Sequence, residues 1–240
     1  MPHVGHHEAR QAVVLAGGLA TRMRPFTETI AKSMLEVAGR PFVDWLLDRL
    51  AASGFDDVIL CIGRLGDQIR DHVKDGDRYG LRVRYSDEGE TLLGTAGAVR
   101  LASDLLAPTF LVTYGDSYLP FDYSAPLSSL TQHADCDAVM SVYENAGQWD
   151  ASNVITDGEW VLRYEKGTVD PAFDHIDYGA IALRREVIAQ VPAGAAAGLD
   201  TIQRALAEKK RLRAFVAHDR FFEIGSPEGL ATLARHLEPS

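Results

Sequence analysis

Short apolar runs recur along the first half of the chain, separated by longer segments with helical spacing. The runs have few polar interruptions, as expected of strands that are covered on both faces of a sheet. They are "QAVVLA" (11–16), "DVILCIG" (57–63), "LRVRYS" (81–86) and "TFLVTYGDSYL" (109–119). Such runs alternating with helices are the pattern of βα units, which predicts a mostly parallel sheet.

The segments between these runs carry apolar residues at helical spacing. Phe42, Leu46 and Leu50 lie four residues apart, after a proline suited to a first turn and before a glycine suited to a helix stop. A second helix is predicted over 65–74. A third is predicted to start near Thr95 and to lead into the run at 109.

From about residue 137 the pattern changes to short strands separated by turns. The strand-like runs are "DAVMSVYE", "NVITDG", "WVLRYEKG" and "IDYGAIAL", and the Asp157-Gly158 pair is typical of a hairpin turn. Helices are predicted at roughly 185–191 and 200–210, then a strand in "LRAFVAH" and a last helix from Ser226 to His236. The second half is therefore expected to be mixed and partly antiparallel.

Length and composition narrow the class of protein. A chain of 240 residues can bury a core as one α/β domain over 1–240, and no low-complexity tract marks a linker. No stretch approaches the roughly 20 apolar residues of a membrane span, and the polar start "MPHVGHHEAR" lacks the core of a secretory signal. A cytoplasmic protein without membrane association is expected.

Charge and cysteine content argue against a general nucleic-acid-binding protein and against a disulfide or a cysteine metal site. The formal net charge of −10 argues against general nucleic-acid binding, which depends on a basic surface. Cys61 and Cys136 are expected to pack in the core rather than to form a disulfide or a metal site. Residues 1–10 are predicted to be a flexible tail, and the three histidines there, His3, His6 and His7, a solvated part of it rather than a metal site.

A glycine-rich turn with basic residues close behind it follows the first strand, in "VVLAGGLATRMRPFTETIAKSMLEVAGRP" (13–41). Glycines let backbone N–H groups approach phosphate oxygens. Arg22 can bind two oxygens at once, whereas Lys32 supplies a movable point charge. A tight turn alone would explain the glycines, but not the cations beside them. The P-loop motif, the G-x-S-x-G elbow and the G-x-G-x-x-G motif are all absent from the sequence. Their absence argues against a P-loop kinase or ATPase, an α/β hydrolase and a dinucleotide dehydrogenase.

Two carboxylates stand at positions suited to a metal ion. Asp116 in "YGDS" ends a predicted strand, and ligands of open parallel sheets bind at the carboxyl ends of strands. Glu223 in "FFEIGSPEG" follows two aromatic residues and precedes a helix. Either residue alone is better explained by a structural role, such as a turn or a helix cap. Together they would suit Mg²⁺, which needs only one or two carboxylates besides phosphate and water.

Taken in order, "LAGGLATRMRP…AKSMLEVAGRP", "LLGTAGA", "YGDS", "YEKG" and "FEIGSPEG" resemble the sugar-1-phosphate nucleotidyltransferases over residues 11–236. The resemblance implies a Rossmann-like three-layer α/β/α (GT-A-like) fold with a mostly parallel mixed central sheet. It also implies a nucleotide-binding half of about 11–120, a sugar-phosphate-binding half of about 121–240, Mg²⁺ as cofactor, and a monomer or homodimer. This chain departs from the family pattern at Ala20 (usually glycine), Ala31 (usually proline) and Glu223 (usually aspartate).

The resemblance also implies the roles of individual residues. The catalytic residues would be Arg22, Lys32, Asp116 and Lys166, and the metal ligands Asp116 and Glu223. The nucleotide would be bound by Leu15, Ala16, Gly17, Gly18, Leu19, Thr21, Arg22, Lys32, Glu88, Gly94 and Thr95. The sugar phosphate would be bound by Asn153, Glu165, Lys166, Asp177, Tyr178 and Gly179.

The choice of base and sugar depends on finer features. "LLGTAGA" is closer to guanylyltransferases acting on mannose or heptose phosphates than to the thymidylyl branch, with Glu88 as a partner for a guanine edge. GTP and a heptose 1-phosphate are the favoured substrates. Uridylyl transfer to N-acetylmuramate 1-phosphate, guanylyl transfer to mannose 1-phosphate, and a non-catalytic nucleotide-sugar sensor stay open as alternatives.

Overall fold

The computed structural model describes residues 9–18, 20–145 and 147–238, and only the backbone of Arg22. Leu19 and the three N-terminal histidines lie outside the described residues. The strands are β1 (Gln11–Leu15), β2 (Glu36–Val37), β3 (Arg40–Pro41), β4 (Asp57–Ile62), β5 (Arg82–Asp87), β6 (Thr109–Tyr114), β7 (Ser117–Tyr118), β8 (Ala138–Glu144), β9 (Val154–Thr156), β10 (Val161–Tyr164), β11 (His175–Arg184), β12 (Leu212–Ala217) and β13 (Phe222–Glu223). The α-helices are α1 (Phe42–Ala52), α2 (Gly66–Val73), α3 (Gly94–Leu101), α4 (Ser124–Gln132), α5 (Arg185–Ala189), α6 (Leu199–Glu208) and α7 (Pro227–Leu237).

Nine of the described strands form one central sheet in the order β10-β9-β11-β6-β1-β4-β5, with β8 on the other edge of β11 and β12 beyond it. β1 pairs in parallel with β4 and β6, β4 with β5, and β8 with β12. β11 runs antiparallel to both β6 and β8. β9 is antiparallel to β11 and to β10, so seven of the nine strands point the same way, and the predicted mostly parallel mixed sheet is confirmed.

Helices cover both faces of this sheet. Successive side chains of a strand point to opposite faces, so each strand contributes to the core on both sides. In β1, Ala12 and Val14 pack on one side and Val13 on the other. The first side is covered by α1, α2, α4 and α7, and the second by α3, α5 and α6. The three-layer α/β/α architecture is confirmed, and so is the interpretation of the uninterrupted apolar runs as strands covered on both faces.

Most predicted elements are present, with shifted ends. The predicted helix near Thr95 spans Gly94–Leu101 and is followed by a 3₁₀ turn. The run predicted as one strand over 109–119 breaks after Tyr114, and two residues then form β7. The break occurs at Gly115, where a Cβ atom would lie 2.9 Å from the carbonyl oxygen of Leu15. This close approach to β1 turns the chain at Asp116.

The sequence analysis assigned no element to the segment that forms α4. Its sequence, "SAPLSSLTQ", is rich in serine and contains Pro126, which weakens a helical pattern. The proline lies in the first turn, where its missing N–H costs no helical hydrogen bond. Leu127 and Leu130 are buried against the sheet, so packing stabilises a helix that propensity alone does not indicate.

Two other expectations can be compared with the described residues. Cys61 and Cys136 are free and buried, as expected for core cysteines. Among the helices that the structure describes, none is both long and apolar enough to cross a membrane.

Candidate active site

A cavity of about 520 Å³ opens at the carboxyl ends of the parallel strands β1, β4, β5 and β6. Every predicted nucleotide-binding residue that the structure describes in full lines this cavity: Leu15, Ala16, Gly17, Gly18, Thr21, Lys32, Glu88, Gly94 and Thr95. Asp116 lines it as well. Leu19 and the side chain of Arg22 lie outside the described residues. The fold thus brings together segments that are up to about a hundred positions apart, but their binding roles stay predictions.

Glu88 is packed against the glycine turn that follows β1. A Cβ atom on Gly17 would lie 2.5 Å from Glu88 Oε1 and 3.3 Å from the backbone nitrogen of Gly63. The other oxygen, Glu88 Oε2, accepts a hydrogen bond of 3.0 Å from the backbone N–H of Leu93. Glu88 therefore connects the turn after β1 to the start of α3, in addition to its predicted contact with the base.

The loop between β1 and α1 is held in place by α2 and by Arg64, which lies two residues before this helix. Gln68 Oε1 accepts the N–H of Ala31 at 2.9 Å, and Arg64 donates to the carbonyl oxygen of Glu28 at 2.8 Å. Ala20 adopts a left-handed conformation with φ 48° and ψ 40°. For a residue with a side chain this conformation costs roughly 1–2 kcal/mol. The usual glycine of the family would avoid most of that cost.

Lys32 and Asp116 form an ion pair on the wall of the cavity. Lys32 Nζ lies 2.5 Å from Asp116 Oδ2, with side-chain exposures of 15% and 33%. Ser33, next to the lysine, donates a hydrogen bond of 2.7 Å from Oγ to the carbonyl oxygen of Gly115. These two contacts connect the loop between β1 and α1 to the end of β6. One cation and one carboxylate line the cavity there.

The second carboxylate lies on the neighbouring strand. β7 and β13 form a two-stranded antiparallel sheet in which Ser117 pairs with Glu223, and the N–H of Ile224 donates to the carbonyl oxygen of Asp116 at 3.0 Å. Burial raises the pKa of Tyr114, and the charges of several carboxylates around it, including Asp116 and Glu223, act in the same direction. Both predicted metal ligands therefore lie near the same cavity-lining ring.

The donor set of this region fits the predicted Mg²⁺. No group of three or more histidine, cysteine, aspartate or glutamate side chains suited to a metal ion occurs in the part of the chain that the structure describes. Two carboxylate ligands are what Mg²⁺ commonly takes from a protein, because phosphate oxygens and water complete its octahedral shell. Asp116 and Glu223 match that requirement in type and number, and their role as ligands stays a prediction.

The predicted sugar-phosphate residues cluster around the start of β11. Asn153 Oδ1 accepts the N–H of Asp177 at 2.8 Å, and Asn153 also accepts the N–H of Glu165 at its carbonyl oxygen, at 2.9 Å. Burial raises the pKa of Asp177; hydrogen bonds from its neighbours and the charge of Lys166 oppose this shift. A Cβ atom on Gly179 would lie 3.7 Å from the Tyr114 ring, so this cluster adjoins the wall of the cavity.

The prediction that Tyr178 takes part in sugar binding is wrong for its side chain. Asp177 and Tyr178 are consecutive residues of a strand, so their side chains point to opposite faces. The Tyr178 ring is 2% exposed and packs against Phe121, Tyr143 and Phe221, with centroid distances of 5.2 to 6.1 Å. It belongs to the core on the α1 side of the sheet.

Sequence reasoning missed three residues near the candidate site. Tyr114 lines the cavity, and Tyr164 and Gln203 both donate hydrogen bonds to Asp177. A signal was available for Gln203, because it lies four residues from both Leu199 and Ala207 on the apolar face of a helix. A polar residue at such a position calls for a buried partner.

Comparisons with known proteins agree with this geometry. A family model described as nucleotidyl transferase matches residues 11–240. An N-acetylmuramate alpha-1-phosphate uridylyltransferase of Caulobacter vibrioides is 29% identical, over 95% of this chain and 97% of the relative. A D-glycero-alpha-D-manno-heptose 1-phosphate guanylyltransferase of Campylobacter jejuni is 26% identical, over 91% of this chain and 96% of the relative. For three further curated relatives the chain spans 51% to 66% of their length.

Similarity to solved structures extends over the whole fold. The structure of HddC from Yersinia pseudotuberculosis complexed with GMP-PN has a TM-score of 0.76 and 26% sequence identity. The match covers 95% of this chain and all of the other, 100%. The three-layer fold with a mixed, mostly parallel sheet is thus shared with this structure.

Proposed function

Because the chain belongs to the nucleotidyl transferase family, we propose that it joins a nucleoside triphosphate to a sugar 1-phosphate, forming a nucleotide-sugar and pyrophosphate. The observation that carries the proposal is the cavity at the strand ends. There the glycine turn, Lys32 and Asp116 lie on one wall, beside the cluster around Asp177. The two relatives that this chain matches over nearly their whole length are named for this reaction on two different substrate pairs.

The reaction places modest chemical demands on the protein. A phosphate monoester is largely a dianion at neutral pH, because its second pKa is about 6, and so the acceptor needs no general base. One of its oxygens attacks the α-phosphorus; the bond from that phosphorus to the bridging oxygen breaks, and pyrophosphate leaves with the electron pair. Catalysis then depends on alignment and on neutralising charge.

The residues of the cavity can meet those demands. Backbone N–H groups of the turn at Gly17 and Gly18 would approach the triphosphate, and Lys32 would offset its charge. Asp116 and Glu223 would hold Mg²⁺, which when bound supplies further charge neutralisation on the phosphates. On the acceptor side, Lys166 is exposed and would contact the sugar phosphate. The role of Arg22 in this proposal rests on the resemblance alone.

Guanylyl transfer to a heptose 1-phosphate is the substrate pair that we favour. It is supported by the heptose 1-phosphate guanylyltransferase of Campylobacter jejuni and by the similarity to HddC in complex with GMP-PN. The uridylyltransferase of Caulobacter vibrioides, whose identity to this chain is slightly higher, supports uridylyl transfer to N-acetylmuramate 1-phosphate as the second candidate. The proposal for the class of reaction does not depend on which pair is correct.

The experiment is a matrix of GTP, UTP, dTTP, CTP and ATP against hexose, heptose and N-acetylmuramate 1-phosphates, read out as magnesium-dependent pyrophosphate release. Asp116→Asn should abolish turnover while the protein stays folded, and Asp67→Asn, an 84% exposed carboxylate on α2, serves as the matched control. Near-normal activity of Asp116→Asn would remove that residue from the metal site. Nucleotide binding without turnover of any pair would favour the sensor instead.

The acceptor side has its own test. Lys166→Ala should raise the KM for the sugar phosphate and leave the KM for the nucleotide unchanged. Lys209→Ala changes an exposed lysine directly after α6, at the end of the sheet where β8 and β12 begin, and should alter neither constant. An effect of Lys166→Ala on the nucleotide alone would show that this lysine is wrongly assigned.

A further inference from the structure

Gln203 is a buried polar residue on the apolar face of α6. It is 2% exposed, between Leu199 and Ala207 on the same face of the helix. Its Nε2 donates a hydrogen bond of 3.1 Å to Asp177 Oδ2, while its Oε1 has no hydrogen-bond partner among the residues that the structure describes. The opposite orientation of the amide would bring Oε1 against a carboxylate oxygen, so the observed orientation is the favourable one.

Packing and stability do not explain a glutamine at this position. A buried carbonyl oxygen without a partner loses its hydrogen bonds to water and gains none in return. A methionine of similar length would fill the same space and keep a comparable helix propensity without that cost. The contact with Asp177 is the one feature of Gln203 that a methionine could not provide.

The contact completes the fixation of the Asp177 carboxylate. Oδ2 accepts hydrogen bonds from Gln203 and, at 3.4 Å, from the hydroxyl of Tyr164. Oδ1 accepts one from the N–H of Gly179 at 3.0 Å. A carboxylate has about four acceptor positions, two on each oxygen. Three of them are filled here, which leaves one position on Oδ1 with the carboxylate held against rotation.

The helix that carries Gln203 is itself anchored to the nucleotide side of the site. The N–H of Leu199, the first residue of α6, donates to Thr95 Oγ1 at 2.8 Å. Just before α6, the carbonyl oxygen of Ala197 accepts the N–H groups of Ala96 and Gly97 at 2.9 and 3.2 Å. The position of Gln203 is therefore fixed by the same segment, "GTAG", that borders the cavity.

We propose that Gln203 is a positioning residue for the acceptor substrate: it holds the Asp177 carboxylate so that the remaining acceptor position on Oδ1 receives a hydrogen bond from a hydroxyl group of the sugar phosphate. This inference rests on the proposed transfer to a sugar 1-phosphate and deepens it. It predicts that replacing Gln203 weakens the binding of the sugar phosphate and leaves the binding of the nucleotide unchanged.

The test compares two buried glutamines, Gln203 and Gln11, each of which donates a hydrogen bond to an aspartate. In Gln203→Met, the KM for the sugar phosphate should rise about tenfold, the fold-change expected from the loss of one hydrogen bond to a charged group. The KM for the nucleotide should change less than about twofold, within the error of such additivity arguments. The thermal unfolding midpoint should be unchanged or higher.

Gln11→Met is the matched control, because Gln11 is the first residue of β1 and lies at the other end of this strand from the cavity. Gln11 is also 2% exposed, and its Nε2 donates to Asp57 Oδ2 at 2.5 Å, but its Oε1 accepts the N–H of Ala107 at 2.7 Å. All of its polar atoms are satisfied, so its replacement should lower the unfolding midpoint and change neither KM. Tyr164→Phe removes the other hydrogen-bond donor to Asp177 Oδ2. Like Gln203→Met, it should raise the KM for the sugar phosphate.

The inference is overturned if Gln203→Met keeps the wild-type KM for the sugar phosphate, or if it lowers the unfolding midpoint as Gln11→Met does while changing both KM values equally. Its failure can be told apart from failure of the proposed function. If the wild-type protein binds sugar phosphates without turning them over, the same comparison is made on Kd by titration calorimetry. If it binds none, both proposals are wrong.

Discussion

Replacing Gly17 by alanine should destabilise the protein through a single contact. The added Cβ atom would lie 2.5 Å from Glu88 Oε1, well inside the range of about 3.3–3.6 Å at which carbon and oxygen atoms meet. The Cβ cannot move the other way, because the backbone of Gly63 and of Ile62 is already 3.3 Å from it. The Glu88 carboxylate must therefore shift by at least about 0.8 Å.

That shift has an energetic consequence that can be estimated. Glu88 Oε2 accepts the N–H of Leu93 at 3.0 Å, and a displacement of this size lengthens the bond beyond the useful range. A hydrogen bond to a charged group contributes roughly 1.5–3 kcal/mol. Gly17→Ala should lower the free energy of unfolding by that amount, which for a chain of this length corresponds to a drop of about 3–12 °C in the unfolding midpoint.

Gly18→Ala is the matched control, since nothing lies within 4 Å of a Cβ atom at that position. It should unfold like the wild type but bind nucleotide less tightly, because the methyl group would project into the cavity where the phosphates are proposed to lie. In a Glu88→Ala background, Gly17→Ala should lose most of its effect on stability. Equal stability of Gly17→Ala and Gly18→Ala in chemical denaturation would refute the reasoning.

Three further predictions concern other parts of the molecule. Ala20→Gly should relieve the left-handed backbone and leave the protein as stable as the wild type or slightly more so; a loss above about 1 kcal/mol in chemical denaturation would contradict this. Burial acts to raise the pKa of Asp57, but hydrogen bonds from Arg84 and Gln11 outweigh it and hold the pKa below its ordinary value. The stabilisation is therefore present above the unfolded-state pKa of about 4 and lost as the pH falls through the lower folded-state pKa, so Asp57→Asn should flatten the acid side of the stability–pH curve. Burial raises the pKa of Cys61 to about 12, so a disulfide reagent at pH 8 should modify it only on unfolding, and rapid labelling of the native protein would count against this assignment.

The fold could be predicted from the sequence where local pattern and tertiary environment agree. The strands β1, β4 and β6 are apolar on both faces, and this is what a parallel sheet between two helical layers requires. The helix α4 shows the limit of such reasoning. Leu127 and Leu130 are the two buried leucines of a segment rich in serine, and the surface that α4 contacts includes β11, which comes much later in the chain. Local spacing carries no record of that surface.

The candidate site divides in the same way. Gly17, Lys32 and Asp116 could be predicted because their chemistry is visible in short motifs, and strand ends of a parallel sheet meet at one edge. Tyr178 was misassigned because the motif includes both Asp177 and Tyr178 and does not show which of the two side chains points towards the site. Gln203 was missed because its partner, Asp177, lies on another element 26 residues away.

The loop between β1 and α1 keeps its shape by other means than the family pattern implies. Ala31 has φ −59°, which is close to the value that a proline ring would fix. Its N–H, however, donates to Gln68 Oε1 at 2.9 Å, a bond that proline could not make, and Gln68 Nε2 donates in turn to the carbonyl oxygen of Thr29 at 2.7 Å. A proline would restrict the unfolded chain as well, whereas alanine leaves it free. The order of the loop that carries Lys32 therefore depends in this chain on its contact with α2.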